Sequence, residues 1–146
     1  MRTGTDRWPS SFFDTDIISL FEHGHPKVVA AVAAHAQDQV CVSTVTIEEQ
    51  IGGWSALARS AKTYAQREFA SLMLLKLVRA WAAFYRVPFP TPAQMRFDAL
   101  MKAKLNVKAN DLRIAAIALE LGSTVVTRNR RDFGRVPGLL IEDWSV

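Results

Sequence analysis

Residues 110–132 read NDLRIAAIALELGSTVVTRNRRD. From Leu112 to Leu121 only Arg113 and Glu120 are polar, and their spacing puts both on one narrow helical stripe. Every other side of that helix is apolar, so the segment predicts a helix covered almost all round. Gly122 can take the left-handed conformation that ends a helix, and Thr124 to Thr127 then reads as a short, buried, β-branched strand. A wholly apolar helix feeding a wholly apolar strand implies a parallel sheet covered on both faces. In open sheets of this kind ligands bind beyond the carboxyl ends of the strands, where Thr127, Arg128 and Asn129 emerge, followed by Arg130, Arg131 and Asp132. Asp111 opens the helix, where the dipole favours its charge. Taken singly, Asp111 needs no role beyond that of a first-turn acid, and Asp132 reads as a solvated loop acid.

The chain has 146 residues, 49% of them apolar, which supports one domain with a full core. A polar extension over residues 1–10 is expected to precede a single domain over 11–146. Cys41 is the sole cysteine and lies in the apolar run Val40 to Val42, so disulfides and cysteine-based zinc sites are excluded and a reducing compartment is implied. No run approaches the ~18 apolar residues that would cross a bilayer, and the first ten residues lack a signal core, so a cytoplasmic location is expected. Charge is uneven: residues 1–57 hold 3 basic and 7 acidic residues, and residues 58–146 hold 15 and 7. The second part thus offers a basic surface to an anionic partner.

In chain order, Ser11 to Phe13 reads as a strand ending in Asp14, Thr15 and Asp16, with a helix over Ile17 to Phe21. His23-Gly24-His25 precedes Pro26 and reads as a turn rather than a metal pair, with a helix from Pro26 to about His35. Val40 to Ser43 is the second strand. Thr46 and Glu49 then fit a capping box, which gives Glu49 a structural reading as a cap. Gly52 and Gly53 are expected to break or kink the helix that this box would open, and about Ala56 to Tyr85 forms one long helix or a helical hairpin. Its apolar residues cover more than one stripe, so part of its surface is expected to meet another chain. Val87 to Phe89 is expected as the third strand. Thr91 would then cap a helix running to about Lys104, and Leu139 to Ile141 is expected as the last strand.

Asp14, Glu49 and Asp111 each fall at a strand end or a helix start, and Asp132 comes after the strand ending at Thr127. All four are therefore expected on one edge of the sheet. Two carboxylates ~4 Å apart repel by about 4 kcal/mol at an effective dielectric near 20, so such a cluster needs a cation. Oxygen-only ligands favour Mg²⁺ or Mn²⁺ over zinc, and Mg²⁺ is commonly shared between few carboxylates and substrate phosphate oxygens. The chemistry this implies is metal-assisted phosphoryl transfer to water.

The segments FFDTDI at 12–17, STVTIEE at 43–49, NDLRIAAIALELG at 110–122, VVTRNRRDF at 125–133 and VPGLLIEDW at 136–144 together resemble the PIN-domain ribonucleases, above all the VapC-type toxins of toxin–antitoxin pairs. The resemblance covers nearly the whole chain from Phe12 to Trp144. It implies a three-layer α/β domain with a short, mostly parallel sheet between helices. It further implies that Asp14, Glu49 and Asp111 are central ligands of Mg²⁺ or Mn²⁺, with Asp132 as fourth acid and Thr127 and Asn129 shaping the site. Also implied are RNA as substrate, a product carrying a 5′ phosphate, a homodimer, and a VapB-type antitoxin that binds near the helices after Glu49. Lys108, Arg128, Arg130 and Arg131 are placed to clamp flanking phosphates. The sequence departs from the family at its extended start and around Lys108 and Ala109, where a small residue is usual.

Two rival readings belong beside this one. Phe12 to Asp16 also resembles the start of haloacid-dehalogenase-type phosphatases, in which Asp14 would be a nucleophile and Asp16 its acid partner. A non-catalytic module that keeps only its antitoxin contacts is the other.

Overall fold

The computed structural model describes residues 9–35 and 39–146. Most of the expected N-terminal extension, residues 1–8, therefore lies outside the described residues, as does the segment 36–38 beyond the second helix. Among the described residues five short strands form one sheet in the order β3-β2-β1-β4-β5, with every pairing parallel. They are β1 (Ser11–Phe13), β2 (Val40–Ser43), β3 (Tyr85–Val87), β4 (Thr124–Val126) and β5 (Ile141–Glu142).

Strand alternation divides the core into two. Phe12, Cys41 and Val125 are in register and face one side, where they pack with α6 (Ala109–Leu121), α5 (Thr91–Lys102) and Phe133. Phe13, Val42 and Val126 face the other, with α1 (Thr15–Glu22), α2 (Pro26–Ala34), Phe84 and Trp144. Phe13 meets Trp144 edge-on with ring centroids 5.2 Å apart. This is the expected three-layer arrangement. Among the described residues no helix is long and apolar enough to cross a membrane.

The apolar helix that organises the sequence is α6, and Leu112, Ile114, Ala115, Ala116, Ile117 and Ala118 are all buried. Arg113 and Glu120, the polar residues within its apolar run, both turn to α5. The Arg113 guanidinium lies 5.0 Å from the Phe97 ring centroid, and Glu120 accepts from Arg96 at 2.6 Å. Gly122 ends α6 at φ 66°, as its position predicts.

Several local expectations are corrected. Ser43, not Thr46, caps α3 (Thr44–Ser60), accepting from the Thr46 amide at 3.3 Å. The helix begins early because β2 delivers Ser43 in extended conformation, so Thr46 becomes a buried helical residue and Glu49 sits in the second turn rather than in a capping box. Gly52 and Gly53 do not break α3. A glycine costs a helix about 1 kcal/mol, and packing against α4 (Tyr64–Ala82), with Trp54 edge-on to Phe69, outweighs it. The hairpin turns instead at residues 61–63, where Thr63 and Gln66 form a true capping box. β3 lies two residues earlier than expected because Pro88 has no N–H to continue the ladder. Thr91 is the first residue of α5 and caps nothing; the preceding Pro90 already holds the extended entry. β4 stops at Val126, so Thr127 heads the loop after it. β5 starts only at Ile141, which pairs with Val125 after the turn at Gly138.

Gly122→Ala is expected to destabilise the fold by about 1 kcal/mol, because an added methyl meets nothing within 4 Å yet cannot rest easily at φ 66°. Urea denaturation of the two proteins checks this.

Candidate active site

β1 ends where the site begins. The Asp14 amide donates to the Val126 carbonyl at 3.2 Å, which continues the β1–β4 ladder by one bond. Its carboxylate then caps α1, accepting from the Ile17 amide at 2.9 Å, and accepts the Thr127 hydroxyl at 2.5 Å. Asp14 is only 4% exposed. Burial pushes its carboxyl from 3.8 up to about 6, against the lowering pull of the Thr127 and Ile17 hydrogen bonds; Asp16 and Asp111 push it further up.

Glu49, on α3, accepts from the Thr15 hydroxyl at 3.2 Å, and that hydroxyl also lies 3.3 Å from the Thr46 hydroxyl. Its carboxyl is held above the ordinary value by burial and by Asp111, with Thr15 and Lys108 acting downward. Asp111, in the first turn of α6, is raised by burial and then by Asp132, with Lys108 opposing. Asp111 makes no side-chain hydrogen bond or ion pair with any described residue. The acids thus form a chain of mutual repulsion in which Asp111 is the common member.

Asp132 lies on a single-turn helix, α7 (Arg130–Phe133), which Asn129 caps. Asn129 accepts from the Asp132 amide at 3.3 Å and donates Nδ2 to its carboxylate at 3.0 Å. Thr127 joins the two halves of the site, since its hydroxyl oxygen also accepts the Asn129 amide at 2.9 Å. Among the described residues no three His, Cys, Asp or Glu side chains converge closely enough to hold a metal ion by themselves. The two histidines of the turn at 23–25 serve local structure: His25 caps α2 and His23 bonds the Ser19 carbonyl.

The expected clamp residues divide. Arg128 forms a two-pronged pair with Asp16, Nε to Oδ2 at 2.7 Å and Nη2 to Oδ1 at 3.0 Å, across the rim between β1 and β4. Arg130 and Arg128 both act on Asp143, whose carboxyl is held below its ordinary value mainly by two hydrogen bonds from Ser145, over the opposing effect of burial. Lys108 acts electrostatically on Asp111 and Glu49. Thr15 and Arg135 are the residues that reading the chain missed. Thr15 could have been found from its place between two acids at a helix start, whereas Arg135 gives no local signal.

Residues 11–139 match the PIN domain family, and the chain belongs to it. PIN domains are nuclease domains. A tRNA(fMet)-specific endonuclease VapC of Salmonella typhimurium is 32% identical over 107 residues, 73% of this chain and 76% of that protein. Ribonuclease VapC1 of Haemophilus influenzae is 27% identical over 90% of this chain and 96% of its own length. The DNA-bound VapBC structure from Salmonella typhimurium superposes with a TM-score of 0.73 at 25% identity, covering 93% of this chain and 98% of that one. Within the family the chain is therefore one of the VapC-type ribonuclease toxins, as the motifs imply. The phosphatase reading falls: the family is a different one, and Asp16, which it needs beside Asp14 as an acid, is committed to Arg128 on the rim.

Because the folded, metal-free protein binds the Asp14 proton more tightly than the unfolded chain does, this group favours folding below pH ~4 and loses that contribution as pH rises through about 6. The loss amounts to about 3 kcal/mol. Asp14→Asn mimics the protonated acid without the charge: its Oδ1 still accepts from the Ile17 amide, and its Nδ2 donates toward the Thr127 hydroxyl oxygen. Thermal melts in EDTA are expected to show it more stable than the parent at pH 7.5 and level with it near pH 4.

Proposed function

We propose that this chain is an endoribonuclease dependent on Mg²⁺ or Mn²⁺, with Asp14, Glu49 and Asp111 as ligands, Asp132 as a fourth acid, and a VapB-type antitoxin as its partner. Nucleases of this family depend generally on a divalent ion. The observation that carries the assignment is the set of three carboxyls at one sheet edge, each raised by burial and each repelled by another, with Asp111 unpartnered among the described residues. Burying charge in this way is unfavourable unless a cation arrives to balance it.

The donors are oxygen only, which suits these two ions. Mg²⁺ keeps several waters and asks for few protein ligands, so the lack of a closed cage of three side chains among the described residues agrees with the set. When bound, the ion supplies charge neutralisation, polarisation of a phosphoryl oxygen and acidification of water. The protein's own part is to orient. Thr127 fixes Asp14, Thr15 fixes Glu49 and Asn129 fixes Asp132, each by a hydroxyl or amide donor. Lys108, Arg130 and Arg131 are the cations offered to phosphates of the RNA strand, whereas Arg128 is already paired with Asp16. Cleavage leaves a 5′ phosphate.

The named target of the Salmonella relative makes tRNA(fMet) the first RNA to test. On α4 the side chains of Phe69, Leu72, Leu75 and Val78 are more than half exposed, and this apolar surface suits the antitoxin and a second copy of the chain. A module that only bound antitoxin would have no use for three mutually repelling carboxyls, Asp14, Glu49 and Asp111, gathered at one sheet edge.

Purified protein with Mg²⁺ or Mn²⁺ is expected to cut a total bacterial RNA pool into discrete fragments, and EDTA to stop it. Asp111→Asn should lower the rate at least about a hundredfold with the fold intact by circular dichroism. Cleavage at the parental rate by that variant would defeat the assignment.

A further inference from the structure

The cations around the carboxylates differ in how far they are already engaged. Arg128 is taken by Asp16, Arg96 by Glu120, and Arg113 by Asn110 and the Phe97 ring. Arg130 acts on Asp143 electrostatically, without a hydrogen bond or ion pair from its side chain to any described residue. The side chains of Lys108 and Arg131 likewise make no hydrogen bond or ion pair with any described residue, but unlike Arg130 they share a cleft. Both are exposed, and both line an open cleft of about 410 Å³ with Asn106, Val107, Asp132 and Arg135.

This cleft has a fixed wall. Arg135 donates Nη1 to the Asn106 carbonyl at 2.7 Å and lies 3.6 Å from the Asp132 carboxylate, so it ties the loop before α6 to the segment after β4. The loop is sharply shaped, with Lys104 at φ 51° and Asn106 at φ 57°. One end of the cleft reaches the acidic cluster, because Asp132 lines it and Lys108 acts on both Asp111 and Glu49.

We propose that this cleft is a phosphate subsite for the RNA strand next to the bond that is cut, with Lys108 and Arg131 contacting the phosphate oxygens. The inference rests on the ribonuclease reading and adds the side on which the strand runs: past Lys108 and Arg131, and not past Arg128. No aromatic side chain among the described residues lines the cleft, so it offers no surface on which a base could stack. It therefore holds the backbone and contributes affinity without reading sequence.

The test is fluorescence anisotropy of a short, labelled, mixed-sequence single-stranded RNA with the full chain in EDTA, across a series of salt concentrations. Lys108→Ala and Arg131→Ala should each weaken binding severalfold and flatten the log–log salt dependence by ~0.7 to 1. Arg128→Ala should change neither, and Lys108→Arg should restore both. Unchanged affinity and slope in the two alanine variants, a loss confined to Arg128→Ala, or no salt-sensitive binding by the parent would each overturn the proposal. Because binding is read without turnover, the two readings can fail separately. A protein that cuts no RNA yet shows the Lys108 and Arg131 effects retracts the nuclease and keeps the subsite, while metal-dependent cleavage with unaffected binding does the reverse.

Discussion

A carboxylate buried at the end of the central strand is the constraint on which the rest of the structure depends. Asp14 cannot shed its charge into water, so it is held by the Thr127 hydroxyl from β4's end and the Ile17 amide from α1's start. Those two bonds require β1 and β4 to be neighbours in register and α1 to leave the sheet at once. The parallel order β2-β1-β4 at the sheet's centre provides both. The same geometry brings Glu49 and Asp111 to that edge, since α3 and α6 each pack against the face that carries Phe12. Structural and chemical readings of Asp14 are therefore not alternatives: it caps a helix and carries a charge that needs a counter-ion.

Around this acid the chain arranges hydrogen-bond donors that orient without neutralising. Thr15, Thr127 and Asn129 each fix one carboxylate, and none of them brings a positive charge. The cation acting on both Glu49 and Asp111 is Lys108, which is exposed and so screened by solvent. Such an arrangement suits the divalent ion and the anionic substrate proposed for it. The excess of basic residues after residue 57 works in the same direction at longer range.

The α3–α4 hairpin has a different character. Its capping box and the Trp54–Phe69 contact hold it together, while the Trp81 indole donates to Gln50 at 2.7 Å and ties the far end of α4 back to α3. Much of α4's apolar surface remains exposed, which a lone chain in water has no reason to keep. The proposed ligand Glu49 and the exposed apolar residues thus share one hairpin, Glu49 on its first arm and the exposed residues on its second.

Sequence alone determined the layers, the parallel sheet and the acids at its edge, because burial of an all-apolar helix and strand admits few arrangements and a strand's end fixes where its acids emerge. Gly122 was legible for the same local reason. Where a neighbour decides, the sequence misled: Ser43 outcompeted Thr46 as a cap because β2 set the entry, packing on α4 carried α3 through two glycines, and Pro88 cut β3 short by denying a bond to β2. The charge partners were also out of reach. Asp16 and Arg128 stand 112 residues apart, and Arg135 reaches the carbonyl of Asn106 across 29, so no spacing rule joins them. Only the folded chain decides which cations are paired and which are left open, since ion pairs depend on distance in space and not along the chain.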